Sequence, residues 1–174
     1  IRPVTRTGNP SSALQALLKA IAIKSRITIE LAGERIPLNV ARPKVRTGHD
    51  LRSVEYLDLS DTDIADISPL ATAKKLKYAV LSRIRNLRSI AALAKLPIED
   101  LYLAGTPVDL RPLLQMRALR FLWVTVESNE DMRIISGLSW LERLLVETSR
   151  PEYVNAVLAQ SRRKTKYIVV AEKN

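Results

Sequence analysis

Few residues of this chain have the type and spacing that catalysis requires. The single histidine, His49, lies beside Asp50 and Gly48, but no serine nucleophile elbow accompanies it. The five glycines form neither a dinucleotide nor a phosphate-loop fingerprint, and there is no cysteine for a disulfide or a thiolate metal site. We therefore interpret His49 as a solvated loop residue and expect no catalytic residues, no cofactor and no enzyme activity.

Four aspartates are spaced closely enough to suggest a hard-metal site, since calcium prefers several oxygen ligands. They are Asp58, Asp61, Asp63 and Asp66. Asp58 falls within a predicted strand and Asp66 near the start of the following turn, which separates the two carboxylates. We interpret all four as solvated turn residues and expect no metal.

The net charge of +10 is concentrated at the two ends of the chain. Residues 1–50 carry +6 and residues 151–174 carry +3, whereas the middle is nearly balanced. The run Arg162-Arg163-Lys164, followed by Lys166, could contact phosphate groups. Basic residues that flank a terminal strand also discourage edge-to-edge pairing, and we favour that interpretation. Nucleic-acid or anionic-surface binding through the basic ends remains an alternative function, although nucleic acid is not the partner we expect.

An internal repeat organises the rest of the chain. Five segments fit the pattern L-x-x-L-x-L, and their starts are 22, 22, 21 and 22 residues apart. A weaker sixth copy begins at Thr165, a further 24 residues along. The alternation at the end of each copy is typical of a half-buried strand, so stacked copies would form a parallel sheet over one shared core. The five copies begin at Val54, Leu76, Ile98, Leu119 and Leu141.

The segments that return from one strand to the next support the same alignment. The first and third returns reach Thr62 and Thr106 at equal offsets, and both finish on an apolar-x-Pro-Leu unit. Ser68-Pro69 is typical of a helix N-cap followed by proline at the first helical position. The returns over 129–138 and 149–158 have the apolar spacing of helices.

Residues 51–146 resemble the leucine-rich-repeat family, particularly the bacterial internalin subclass with repeats of about 22 residues. The most specific stretches are LDLSDTDIADISPLA and LYLAGTPVDLRPLL. Where the family has asparagine after the strand, this chain has Thr62, Ile84 and Thr106. The resemblance implies a solenoid with its parallel sheet on the concave face and loops and short helices on the convex face. It also implies a recognition or sensor part of a larger bacterial protein, or a secreted effector.

The predicted organisation is an α/β solenoid with an N-terminal α/β cap. Residues 1–50 form the cap, with one amphipathic helix that carries Leu14, Leu17, Leu18 and Ile21, followed by strands over 27–31 and 36–40. Residues 51–174 form the solenoid, including a C-terminal capping strand. No apolar run approaches the length of a membrane span. We expect a cytoplasmic location, or delivery into a host cell if the protein is an effector.

Two columns of side chains are predicted to point away from the core, and they define the candidate binding face. The following column is mostly small (Ser60, Ser82, Ala104, Thr125 and Glu147), which would leave the aromatic residues on an accessible shelf. We predict a protein partner on this concave face; its identity and the oligomeric state stay open. The candidate binding residues are Tyr56, Tyr78, Tyr102, Phe121, Trp123, Arg143 and Leu145.

Overall fold

The computed structural model describes residues 12–24, 50–160 and 164–171, and these form a chain of short strands separated by short helices. The α-helices are α1 (Ser12–Lys24), α2 (Asn129–Gly137) and α3 (Pro151–Gln160). Turns of 3-10 helix cover Asp50–Ser53, Ser68–Thr72, Ala91–Leu93 and Arg111–Gln115. The strands are β1 (Tyr56–Asp58), β2 (Tyr78–Val80), β3 (Asp100–Tyr102), β4 (Phe121–Thr125), β5 (Arg143–Thr148) and β6 (Lys166–Ala171).

The six strands form one parallel sheet in their sequence order, β1 to β6. Each strand pairs with the equivalent residues of the next repeat, as Leu57 with Ala79 and Leu101 with Leu122 show. The sixth strand continues the sheet, but Leu144 lies beside Tyr167 and not beside Ile168, as the predicted sixth copy requires. The register therefore confirms the alignment of the first five copies, whereas the sixth copy was predicted one residue out of register, which turns each of its side chains to the opposite face.

A single apolar core runs beneath the sheet from coil to coil. The last two apolar positions of each repeat enter it; Leu101, Leu103 and Leu122 are fully buried. The returns add a second wall, to which the 3-10 helices contribute Leu70, Leu93 and Leu113. No coil could bury these side chains alone, so stacking supplies most of the stability. The predicted α/β solenoid is confirmed.

Helix capping in the returns differs in detail from the prediction. Ser68 is not the N-cap of its 3-10 helix: Ile67 holds that position, and no side chain caps it. Instead the carboxylate of Asp66 accepts the Ser68 N–H at 2.7 Å, because aspartate readily bonds backbone two residues ahead. At α2, Ser128 and Asp131 form a reciprocal capping box, which stabilises the first turn of this helix.

The threonines after the strands connect the coils. Thr106 is buried; its hydroxyl accepts the Ile84 N–H at 3.0 Å and donates to Leu81 O at 2.5 Å, both in the preceding coil. Thr62 donates only to Leu59 O of its own coil, at 2.7 Å. Ile84 has no side-chain hydroxyl of its own, and its backbone N–H donates to the hydroxyl of Thr106 in the next coil.

Helix α1 contributes to the same core, since Leu17 and Ile21 are buried within it. The helix packs beside β1 and the 3-10 helix Ser68–Thr72. The two strands predicted over 27–31 and 36–40 lie outside the described residues. The division into a cap and a solenoid therefore stays a prediction.

Candidate interaction surface

All seven candidate binding residues lie on one side of the sheet, opposite the core. We name this side the open face; the resemblance predicts it to be concave. The first column is formed by paired residues Tyr56, Tyr78, Asp100, Phe121, Arg143 and Lys166, and the second by Asp58, Val80, Tyr102, Trp123, Leu145 and Ile168. Tyr78 and Arg143 are exposed, and the other five candidates are half-buried.

The Tyr102 ring on β3 contacts two rings on β4, and we name the three residues the aromatic cluster (Tyr102, Phe121 and Trp123). The Tyr102 and Phe121 ring centroids are 5.0 Å apart, and those of Tyr102 and Trp123 are 6.2 Å apart in an edge-on arrangement. Both distances fall within the range of attractive aromatic pairs. The rings therefore form one apolar surface across two strands.

Polar contacts fix the orientation of the cluster. The Trp123 indole Nε1 donates to Glu147 Oε1 at 3.1 Å, across from β4 to β5. The Arg143 guanidinium lies over the Phe121 ring, with Cζ 4.8 Å from the centroid, which is a cation–π contact. These contacts hold the rings in place before any partner binds.

Most acidic residues on or beside the open face already have a partner. Asp58 accepts from Ser60, Glu147 accepts from Trp123, and the carboxylate of Glu99 pairs with Lys77 at 3.3 Å. The Asp100 carboxylate is different: within the described residues it has no hydrogen bond or ion pair. Desolvation raises the pKa of Asp100, and the positive charge of Arg143 opposes this rise only in part. Asp100 is a half-buried carboxyl group that forms no ion pair among the described residues, and the charges of Arg143 and Arg120 offset its desolvation only in part.

The Tyr56 phenol at the other end of the face is also desolvated. Burial, with the nearby negative charge of Asp58, raises the pKa of Tyr56 to about 12. Its hydroxyl therefore stays neutral across the physiological pH range and can act as a hydrogen-bond donor there.

Three of the small residues that flank the aromatic columns are themselves buried. Ser60, Ser82 and Ala104 are buried, because the chain turns inward directly after the strand at these positions. Val80, although it points to the open face, is only 1% exposed. Val80 lies beside Tyr102 on the neighbouring strand, and the larger tyrosine side chain extends farther from the sheet than the valine. The accessible apolar surface therefore begins at Tyr78 and the aromatic cluster and does not include this third column.

Two further apolar residues on the open face were missed from the sequence. Ile168 is 63% and Val170 is 42% exposed, and they lie beside Leu145 and Glu147 on the last strand. The predicted alignment of the sixth copy put both residues at core positions, but the strand is displaced by one residue from that alignment, which moves them to the open face. Leu145 and Ile168 extend the apolar surface from the aromatic cluster onto β6.

The other sites considered from the sequence are not brought together. Asp61 forms a two-point ion pair with Arg83, with N–O distances of 2.6 and 2.9 Å, while Asp66 serves the turn at Ser68. The described residues contain no group of three His, Cys, Asp or Glu side chains suited to a metal ion. His49 and Arg162-Arg163 lie outside the described residues. Lys164 and Lys166 are exposed at β6.

In the described part of the chain, no helix has the length and apolar character that a membrane span requires.

Comparison with known proteins gives similar structures but no related sequence. No protein-family model matches the chain, and no curated protein does. Internalin C2 of Listeria monocytogenes is 17% identical, with a TM-score of 0.45 over 90% of this chain and 92% of that one. Internalin F of the same bacterium is 19% identical, with a TM-score of 0.38 over 96% of this chain and 60% of that one.

The observation that decides the fold is the repeated register itself. Six parallel strands follow one another in successive repeats, and each segment that connects two strands contains a short helix. The chain has the leucine-rich-repeat fold. In this fold the open face is a sheet surface built by every coil, so a ligand can contact many repeats at once.

Proposed function

We propose that this leucine-rich-repeat chain is a protein-recognition module that binds its partner over the open face, and that it is not an enzyme. The observation that supports the proposal best is the aromatic cluster, three touching rings on a sheet surface that no described element covers. The apolar surface continues through Leu145 to the 63% exposed Ile168. Contiguous apolar surface of this kind often marks an interaction site.

The residue types also fit an interface. Tyrosine, tryptophan and arginine dominate binding energy in many protein interfaces, because they bury large areas with few rotatable bonds. All three types occur here within two adjoining columns, as Tyr102, Trp123 and Arg143. The contacts of Trp123 with Glu147 and of Arg143 with Phe121 reduce the entropy lost on binding, since these side chains are already ordered.

The wider setting is proposed from the resemblance. We propose that the module serves as the recognition part of a larger bacterial protein or of an effector. A cytoplasmic location, or delivery into a host cell, stays a prediction. The alternative function, binding of nucleic acid through the basic ends, predicts an affinity that falls steeply with salt because it would depend on released counterions.

Two tyrosines of similar exposure provide a matched test. Tyr78 is 37% exposed on the open face, and Tyr153 is 40% exposed on α3. Peptides that bind the protein would be selected from an unbiased displayed library, and their affinities measured for the Tyr78→Ser and Tyr153→Ser proteins. We expect the first substitution to weaken binding about tenfold or more, the size of an interface hot spot. The second should leave binding unchanged.

The result that would contradict the proposal is equally specific. If most selected peptides bind the Tyr78→Ser protein at full affinity and the Tyr153→Ser protein weakly, the recognition surface includes α3 and not the open face. Thermal melting of both proteins would be measured first, so that loss of binding is compared between folded proteins.

A further inference from the structure

In the first column of the open face, two charged residues that form no ion pair among the described residues lie two strands apart, with an aromatic residue between them. In the first column, Asp100 on β3 pairs with Phe121 on β4, and Phe121 pairs with Arg143 on β5. The Asp100 carboxylate has no hydrogen bond or ion pair within residues 12–24, 50–160 and 164–171. Arg143 contacts the Phe121 ring but forms no ion pair there. The face thus presents an anion, an apolar surface and a cation in that order.

Most charged residues beside the first column are paired, and Glu147, which bonds the Trp123 indole, lies four residues farther along β5 than Arg143. Along the row that precedes the first column, Lys77 pairs with Glu99 at 3.3 Å and Arg120 pairs with Glu142 at 3.7 Å. Each pair has no net charge, so its electrostatic effect on an approaching partner is small. On the next strand Lys166 adds a second positive charge beside Arg143. A complementary partner therefore carries a positive charge toward β3 and a negative charge toward β5.

The spacing of these charges selects the conformation of the partner. Neighbouring strands are about 4.8 Å apart, so Asp100 and Arg143 are separated by about 9.6 Å across the sheet. A helix that crosses the strands rises about 10.5 Å over seven residues, and residues i, i+3, i+4 and i+7 share one face. An extended peptide would place same-face side chains about 6.6 or 13.2 Å apart, and neither distance matches.

We propose that the open face binds an amphipathic α-helix that crosses β3, β4 and β5. Oppositely charged residues at helix positions i and i+7 would flank apolar residues at i+3 and i+4. The positive residue meets Asp100, the negative residue meets Arg143, and the apolar pair packs on Phe121 and Trp123. Either helix direction satisfies this arrangement, since reversing the helix exchanges the two charged positions. The inference rests on the proposed function, because it names the class of partner for the same face.

The test is a displayed library built on one fixed helical peptide. Leucine occupies positions i+3 and i+4, all side chains are allowed at i and i+7, and the library is selected on the purified protein. We expect opposite charges at the two positions to be enriched at least about tenfold over like charges, because like charges against this face are repelled.

Two variants sharpen the test by changing one charge at a time. The Asp100→Asn protein keeps the size of the side chain, and its selected peptides should lose the preference for a basic residue but keep the acidic one. The Arg143→Glu substitution affects an exposed residue, and its selected peptides should be basic at both positions.

Each other outcome has a defined meaning. Absence of helical binders, or binders with no charge preference, overturns the helix proposal. If peptides from the unbiased library still depend on Tyr78 in that case, the proposed function stands and only this inference fails. If neither library gives binders that depend on the open face, both proposals fail together.

Discussion

The Thr106 hydroxyl provides the sharpest test of how the coils are held together. It is buried and satisfies two backbone groups of the preceding coil, the Ile84 N–H and Leu81 O. The change Thr106→Val keeps the shape of the side chain and removes only the hydroxyl. The Ile84 N–H then has no acceptor among the described residues. A buried donor left without a partner costs about 1–3 kcal/mol, so with the loss at Leu81 we expect about 2–3 kcal/mol in total.

Thr62→Val is the matched control. Its hydroxyl makes one bond, to Leu59 O of the same coil, and the residue is half-buried, so water can replace the bond. We expect a loss of about 0.5–1 kcal/mol there. Urea denaturation of both variants gives the free energies of unfolding. Thermal melting should fall by about 4–12 °C for Thr106→Val, at about 2–4 °C per kcal/mol for a chain of this size. Equal destabilisation by the two substitutions would refute the proposed role of Thr106 between coils.

Three further predictions concern the core, a turn and a titrating group. Leu122→Ala should lower the free energy of unfolding by about 2–5 kcal/mol, because the leucine is fully buried; a loss below about 1 kcal/mol would contradict the strand register. Gly105→Ala should cost about 1–2 kcal/mol in urea denaturation, since Gly105 has a φ of +68° and an added Cβ would lie 3.1 Å from Arg83 Cγ. Gly137→Ala is the control without a positive φ. Stability should fall as the pH rises between 10.0 and about 12, because the folded protein holds the Tyr56 proton more tightly than the unfolded chain; the Tyr56→Phe protein should lose this component, measured by phenolate absorbance and melting.

The fold could be predicted from the periodicity of the apolar residues, because this periodicity is a local property of the sequence. The alternation of Leu101, Tyr102 and Leu103 assigns each side chain to the core or to the open face, and the equal spacing of the copies then fixes which residues pair. The residues that cap the helices of the return segments could not be predicted in the same way, because capping depends on local backbone geometry that the repeat spacing does not specify. Asp66 and Ser68 are both common helix caps, and only the backbone direction decides which of them bonds the turn.

The sequence predicted which residues form the two columns of the candidate site on β1 to β5, but not how exposed each side chain is. The alternation of side chains along β2 places Val80 on the open face, yet Val80 is buried, because its exposure depends on the size of the side chains around it. The charge pattern was also beyond the sequence, because Asp58 and Asp100 look alike until their hydrogen-bond partners are known. Ile168 was missed because the sixth copy was aligned one residue out of register, which put this side chain in the core; the return before β6 is one residue shorter than the predicted spacing of 24.

The two tryptophans allow a direct test of the central claim that the open face is the binding surface. Trp123 lies on that face, whereas Trp140 donates to Met116 O at 3.1 Å and stacks under Arg117 in a return segment. The Trp140→Phe and Trp123→Phe proteins each retain one indole as a fluorescent reporter. Acrylamide quenching would be measured with and without a peptide selected from the displayed library. We predict that the peptide protects Trp123 from quenching and leaves the quenching of Trp140 unchanged. Protection of Trp140, with Trp123 still fully quenchable, would contradict binding at the open face.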